Sequence, residues 1–230
     1  MRHVLALVRG AVGAVYARHV QYITVKRLDS PDAKQAAGPA ADPATTCLIV
    51  DSVEALRVVA HEIPSTFRDS VEELTRRVAH GCVLCLARRR RPGGAGYEVV
   101  GYELAELGVF SALGRRKAAG ADVVFSHWAE VVPAHRGRRI HGLLFATRDA
   151  YFRVRGGRIV VGVCARWNRA SLRALRRDGA EVVGHVTQLA VFRLIVWETP
   201  WPRIEHALEV GRLGIAGDTA AVEELTPNHA

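Results

Sequence analysis

Three arginines and two glycines crowd the stretch Val131-Val-Pro-Ala-His-Arg-Gly-Arg-Arg-Ile-His-Gly-Leu-Leu144. The pattern predicts a strand that ends at Pro133, a short basic loop and a helix that starts near Ile140. Such a junction aims free backbone N–H groups and the positive end of a helix at one point, where an anion is stabilised. Arg136, Arg138 and Arg139 add full charges. A pyrophosphate suits such a cradle. Taken by itself, the loop also reads as a plain strand-to-helix turn with solvated arginines.

The charge of the chain is concentrated around this stretch. Its 230 residues carry 32 Lys+Arg against 23 Asp+Glu, a formal net charge of +9. Between Arg136 and Asp178 stand twelve arginines and only two acids, Asp149 and Asp178. A positive segment inside an otherwise balanced chain indicates an anionic ligand rather than a generally adhesive surface. Hydrophobic residues make up 49% and charged residues 24%, which is globular composition and excludes wholesale disorder. Four cysteines (Cys47, Cys82, Cys85, Cys164) do not make a disulfide framework. Cys82-x-x-Cys85 has no second pair and falls on an expected strand, where residues three apart face opposite ways. It is read as structural thiols, and no metal is expected. No run of apolar residues is long enough to span a membrane. The opening MRHVLALVRGAVGAVYA is interrupted by Arg9 and is read as an arm packing on the body rather than as an export signal.

The elements that must position the cradle follow from periodicity and punctuation. Residues 3–19 read as a helix weakened by Gly10 and Gly13, and Gln21–Leu28 as a strand. The proline-rich, aperiodic stretch Ser30–Thr46 reads as a linker. Cys47–Asp51 reads as a strand, and Val53–Ala60 and Ser70–His80 as helices, with Ser70 and Glu73 as a capping box. Cys82–Arg88 and Tyr97–Phe110 read as strands joined through Arg90-Arg-Pro-Gly-Gly-Ala-Gly96, and Asp122–Val132 as a further strand. Ile140, Leu143, Leu144, Thr147, Tyr151 and Val154 form a helical apolar stripe that Gly156-Gly157 ends. Ile159–Ala165 is a continuous apolar run of the kind buried in parallel sheets. Asn168 is the expected N-cap of a helix running to Asp178. Glu181–His185 and Gln188–Trp197 read as two strands, followed by a helix near Ile204–Leu213. The fold class is therefore α/β, with a mixed sheet that contains a right-handed βαβ unit from Asp122 to Ala165.

Val131-x-Pro-x-x-Arg-Gly-x-x-Ile resembles the acyl-CoA-binding motif of the GNAT superfamily of N-acyltransferases. Asn168-x-x-Ser171-Leu172, followed by Asp178-Gly179-Ala180-Glu181-Val-Val-Gly184, resembles that superfamily's second signature. The resemblance covers Asp122 to Gly184 and is loose from Cys47 to Phe110. It implies a GNAT-like acyltransferase domain over residues 47–200. Around it lie an N-terminal helix–strand arm over 1–30, a linker or loop over 31–46, and a C-terminal helix and tail over 201–230. Two departures stand out. In the pattern Arg/Gln-x-x-Gly-x-Gly/Ala, the glycine positions are occupied by Arg139 and His141. Where many members carry a tyrosine on the second motif's helix, this chain has Leu175.

The resemblance also implies chemistry. Acetyl-CoA or another acyl-CoA is the expected co-substrate, held by Val131, Val132, Arg136, Gly137, Arg138, Arg139, Ile140, His141, Gly142, Asn168 and Ser171. A backbone N–H near Ala129–Val131 polarises the thioester while an amine attacks it directly in a ternary complex. His127 is the expected general base, because an imidazole titrates in the range needed to take a proton from an ammonium. Glu130 is the second choice. Alternation places it opposite His127, on one face with Ser126 and Trp128, which are expected to line the acceptor pocket.

The expected acceptor is a small-molecule amine. Two alternatives differ in partner. An acyl-carrier protein or a long-chain acyl donor would need fewer nucleotide contacts and would suit a basic docking face. A non-catalytic CoA- or nucleic-acid-binding protein on the same fold is the other, although the absence of any zinc-finger or helix-turn-helix pattern argues against nucleic acid. The basic runs Arg88–Arg91 and Arg115–Lys117 read as solvated turns. A cytoplasmic, bacterial protein is expected, with a homodimer through the C-terminal strands as an open option and no membrane partner.

Overall fold

The computed structural model describes residues 16–29, 43–91, 93–94, 96–112, 115–191, 194–200, 203–206 and 208–209. Its strands are β1 (Tyr16–Arg27), β2 (Thr45–Val50), β3 (Val83–Arg90), β4 (Tyr97–Leu107), β5 (Val109–Ala112), β6 (Arg115–Ala118), β7 (Val123–Val131), β8 (Ile159–Ala165), β9 (Glu181–Val191) and β10 (Leu194–Glu198). Its helices are α1 (Val53–Val59), α2 (Val71–Ala79), α3 (Ile140–Arg153) and α4 (Arg169–Arg177).

Eight strands form one sheet in the order β10-β9-β1-β8-β7-β4-β3-β2, and β5 and β6 form a separate hairpin. Every neighbouring pair is antiparallel except β7–β8. The parallel pair is the βαβ unit expected from the sequence. Ile159–Ala165 is apolar throughout because both faces of β8 are covered. One face of the sheet carries α1 and α2, whose Leu56, Val59, Leu74 and Val78 pack on Leu84, Tyr102 and Leu104. The other carries α3, whose Ile140 and Leu144 pack on Val131 and Val100 and whose Phe152 packs on Val124 and Val160. Gly101 of β4 makes that approach possible. A Cβ there would stand 3.0 Å from the Glu130 carbonyl and 3.2 Å from Ile140 Cγ2.

Several expectations change. The helix predicted over residues 3–19 lies outside the described residues up to residue 15, and residues 16–19 are strand. The strand expected within the arm is an inner strand. β1 pairs with β8 on one side (Gln21↔Ala165 to Arg27↔Ile159) and with β9 on the other. The two strands predicted over Glu181–His185 and Gln188–Trp197 are one long β9 and a short β10, because pairing with β1 runs uninterrupted past Val186. Of the C-terminal helix, residues 203–206 and 208–209 are helical, and the remainder lies outside the described residues, as does most of the predicted linker. The buried face of α3 is Ile140, Leu144, Phe145, Arg148, Asp149 and Phe152, whereas Val154 of the predicted stripe is 80% exposed. The stripe is rotated because two charged residues, Arg148 and Asp149, are buried with partners.

Candidate functional site

The register of β7 opens a cleft. Its parallel pairing with β8 runs from Val123↔Ile159 to Ser126↔Gly162 and stops, so the two strands part beyond Ser126. On the other edge β7 remains paired with β4 up to Val131. In an antiparallel ladder, alternate residues turn their N–H and C=O to opposite sides. The Val132 N–H donates to the Val100 carbonyl. By the same alternation Ala129 and Val131 direct their N–H groups away from β4, into the cleft. The Val131 carbonyl confirms the direction, since it accepts from Arg136 Nε at 3.1 Å. Val132, expected among the residues that hold the co-substrate, spends its N–H on the sheet.

Because β7 and β8 are parallel, the helices that follow them start at the same edge of the sheet, at the open end of the cleft. α3 begins at Ile140 with Arg139 as its N-cap. No side chain caps it and no acid lies in its first turn. Its first N–H groups are therefore available to an outside anion. Arg136, Gly137, Arg138, Arg139 and Gly142 are exposed around it, whereas Ile140 is a buried anchor. Gly137 has φ +79°. Arg139 adopts φ 60° and ψ 21°, the one non-glycine residue with positive φ among the described residues. The backbone thus keeps the left-handed turn that a glycine would make here, with an arginine in its place. That conformation costs a residue with a Cβ about 1–2 kcal/mol. Arg139→Gly is accordingly expected to raise the unfolding free energy by about 0.5–1 kcal/mol, the gain being trimmed by the greater freedom of glycine in the unfolded chain. Arg139→Ala should give no such gain, and urea melts compare the two.

His141 does not crowd the cradle. Its ring lies parallel to Phe145 one turn further on, with centroids 5.8 Å apart. Burial, and then the positive charges of Arg136 and Arg177, depress its pKa, so it is neutral at pH 7 and contributes no charge. A Cβ on Gly142 would meet nothing within 4 Å. Asn168 caps α4 as predicted, its Oδ1 accepting from the Ser171 N–H at 3.1 Å. Both residues are half-buried at the end of β8 and position α4. Trp167, to which the sequence assigned no role, is 82% exposed beside them.

A β-bulge rearranges the expected catalytic residues. The β4–β7 register shifts between Leu104↔Trp128 and Ala105↔Ser126, leaving His127 as the extra residue. Tyr102 and Leu104 belong to the α1–α2 face, and their partners Glu130 and Trp128 share it. His127 is on that face too. It makes an edge contact with Phe125, with centroids 4.7 Å apart, and its Nε2 is 3.2 Å from Glu106 Oε2. His127 and Glu130 therefore share a face, contrary to the alternation rule. Ser126 leaves it, donating to Glu103 Oε1 at 2.8 Å beneath α3. Burial, and then the charges of Arg77 and Arg116, push His127 down to about 4. A neutral imidazole of so low a pKa is a poor base for an ammonium proton.

Glu130 and Trp128 meet the loop between α1 and α2. Glu130 Oε2 accepts from the Arg68 N–H at 3.1 Å, and the Arg68 guanidinium lies 4.1 Å above the Trp128 ring. Tyr102 donates to Asp69 at 3.0 Å. No pattern in residues 63–70 announced this contact. Of the basic runs, Arg88 pairs with Glu62 and lies 4.4 Å over Tyr97, and Arg116 pairs with Glu106, so both serve the fold. Among the described residues no helix is long and apolar enough to cross a membrane.

No protein-family model and no curated protein matches the sequence. Solved structures do. A tandem GNAT protein from the clavulanic acid biosynthesis pathway superposes with a TM-score of 0.52 at 18% identity, covering 81% of this chain and 58% of its own. A GCN5-related N-acetyltransferase from Sphaerobacter thermophilus superposes with a TM-score of 0.50 at 19% identity, covering 82% and 57%. The chain thus spans less than two thirds of the length of either. The parted parallel strands, the helix-end cradle and these superpositions agree that the chain has the fold of the GNAT N-acetyltransferases.

Proposed function

We propose that the protein is an N-acyltransferase that moves an acyl group from acyl-CoA, acetyl-CoA first among them, to the amine of a small molecule. The observation that carries this reading is the cleft beyond Ser126↔Gly162, into which two backbone N–H groups point and over whose mouth an uncapped helix end and three arginines stand. The residues present fit a diphosphate-bearing co-substrate. The helix end has no anionic cap of its own, and the space over Gly142 is open.

In this reading Arg136, Arg138, Arg139 and the first N–H groups of α3 hold the diphosphate. The N–H groups of Ala129 and Val131 polarise the acyl carbonyl and favour the charge that develops on its oxygen. Trp128 and the 63–70 loop orient the acceptor. Glu130, beside the cleft and on the acceptor's face, takes the ammonium proton, directly or through one water, so that the free amine attacks. Glu130 replaces His127 in that role because His127 is engaged with Glu106 and held neutral.

Two measurements test the proposal. Acetyl-CoA should raise the melting temperature of the protein, whereas pantetheine without the diphosphate should not. In a thiol-release assay over a panel of amines, Glu130→Gln should lower kcat by about 10²–10⁴-fold and leave the acetyl-CoA stabilisation unchanged. The deficit should shrink as pH rises and the amine deprotonates unaided. A Glu130→Gln enzyme with the wild-type rate would remove the base assignment, and absence of any acetyl-CoA stabilisation would remove the function.

A further inference from the structure

Cys82, Glu106 and His127 reach one point from three separate places in the chain. Cys82 precedes β3, Glu106 is near the end of β4, and His127 is the bulge residue of β7. Cys82 Sγ is 3.7 Å and His127 Nε2 is 3.2 Å from the same oxygen, Glu106 Oε2, and the three donor atoms lie within 4.8 Å of one another. Cys82 and Glu106 are buried, with relative exposures of 6% and 7%. The acyl-transfer reading uses none of the three.

We propose that Cys82, Glu106 and His127 form a binding site for a thiophilic divalent cation, zinc by its donor set. A thiolate, an imidazole and a carboxylate are zinc ligands, and tetrahedral bonds of about 2.3 Å to sulfur and about 2.0–2.1 Å to nitrogen and oxygen require donor atoms about 3.3–3.6 Å apart. The distances to Glu106 already match that spacing. Three protein ligands leave a fourth position for water. Arg116 holds the other oxygen of Glu106 and so orients the carboxylate, as supporting residues around metal ligands do. His127 is neutral, and with its proton moved to Nδ1 its Nε2 offers a lone pair to the cation. The bulge, which the alternation of β7 does not require, is what turns the imidazole toward Glu106.

Burial raises the Cys82 thiol, although Arg77 and Arg116 draw it down, so the thiol is protonated in the empty site. Binding then exchanges one proton for the metal: Zn²⁺ and Cys–SH give Zn–S–Cys and H⁺. The two arginines weaken the site by repulsion. It is therefore a clip that braces β3, β4 and β7 at the base of the cleft rather than a centre on which folding depends.

The test is titration of the full chain, freed of metal by chelation, with cobalt(II). One equivalent should give a thiolate-to-cobalt charge-transfer band in the near ultraviolet and visible bands of tetrahedral intensity. Zinc should abolish both, and each metal bound should release one proton. Cys82→Ser and His127→Gln should each weaken binding by more than the roughly 10–100-fold that a supporting residue costs, and Cys47→Ser should leave it unchanged. Native circular dichroism of each variant establishes that the comparison is between folded proteins. Absence of the thiolate band in folded protein, or binding that survives Cys82→Ser and His127→Gln, overturns the proposal. Acetyl-CoA stabilisation is measured separately, so either result leaves the acyl-transfer reading standing or falling by itself.

Discussion

Arg148→Met is expected to lower the unfolding free energy by about 3–5 kcal/mol, the usual cost of removing one partner from a buried ion pair. That is a large part of the roughly 5–15 kcal/mol that holds a domain folded. Arg148 is 1% exposed. Its guanidinium donates to Asp149 Oδ1 at 2.6 and 2.8 Å and to Glu103 Oε1 at 2.5 Å, and lies 3.6 Å from Asp178. Lys26 of β1 completes the group, 2.7 Å from Asp149 and 2.9 Å from Asp178. Two cations thus serve three carboxylates, and losing one leaves Lys26 alone against all three. Burial raises the Asp149 carboxyl, yet the pull of Arg148 and then Lys26 prevails and holds it below its ordinary value. A carboxyl depressed in the folded state stabilises above its unfolded pKa and ceases to do so as pH falls through the folded value. At Glu103 and Asp178 burial prevails and raises both, so these two oppose folding at neutral pH and are relieved as pH falls. Removing Arg148 takes away the main pull on all three carboxylates, and protonation then relieves the variant more than wild type. The gap between the two should therefore narrow as pH falls from 7 toward about 4. Adding Glu103→Gln to Arg148→Met should recover at least ~1 kcal/mol by removing one unpaired charge. Arg155→Met, at an exposed pair with Asp51 3.9 Å away, should change stability by less than about 0.5 kcal/mol. Denaturant melts at pH 7 and pH 4 decide the matter. An Arg148→Met protein within 1 kcal/mol of wild type would show the network to be dispensable.

That network also shows where a sequence stops being legible. The βαβ unit was readable because its signals are local. Pro133 ends β7, a helical stripe follows, Gly156-Gly157 ends α3, an unbroken apolar run makes β8, and Asn168 caps α4. The cradle was readable for the same reason, since it lies within a few residues of Pro133. Cys82 and Cys85 face opposite ways, as strand alternation requires, although both are buried because helices cover both faces of the sheet. Burial of Arg148 and Asp149 was not readable. A charged residue enters a core only with partners, and these come from β1, β4 and the end of α4, far away in sequence. The place of β1 depends on pairing Gln21 with Ala165 and is equally non-local. The bulge at His127 is the most consequential miss. One extra residue in β7 exchanges the faces of Ser126 and His127, and nothing in the alternation of Val123–Val131 signals it. It takes the imidazole from the role the resemblance implied, which is why the proposed mechanism gives the base's part to the neighbouring carboxylate of Glu130.

Gly142→Glu is expected to weaken acetyl-CoA binding by on the order of 100-fold while the protein becomes more stable. The opposite signs follow from one piece of geometry. Gly142 is the third residue of α3, exposed, with open space where its Cβ would be. Replacing glycine inside a helix gains up to about 1 kcal/mol, and an acid in the first turn of a helix gains about 0.3–1 kcal/mol more against the helix dipole. No acid occupies that turn in the native chain. The new carboxylate would sit among Arg136, Arg138 and Arg139 and accept from the N–H groups that the proposed function assigns to the diphosphate. Hydrogen bonds to a charged group contribute roughly 1.5–3 kcal/mol each, so losing one or two accounts for the expected fold-change. Gly142→Gln separates charge from bulk. It should gain stability from the helix alone and lose much less affinity. Because the cradle is exposed, the deficit of the glutamate variant should also shrink as salt is raised from about 0.05 to about 0.5 M. Calorimetric titration with acetyl-CoA, beside melting curves of the free proteins, reads both quantities. A Gly142→Glu protein that melts higher yet binds acetyl-CoA as tightly as wild type would place the diphosphate somewhere other than the start of α3.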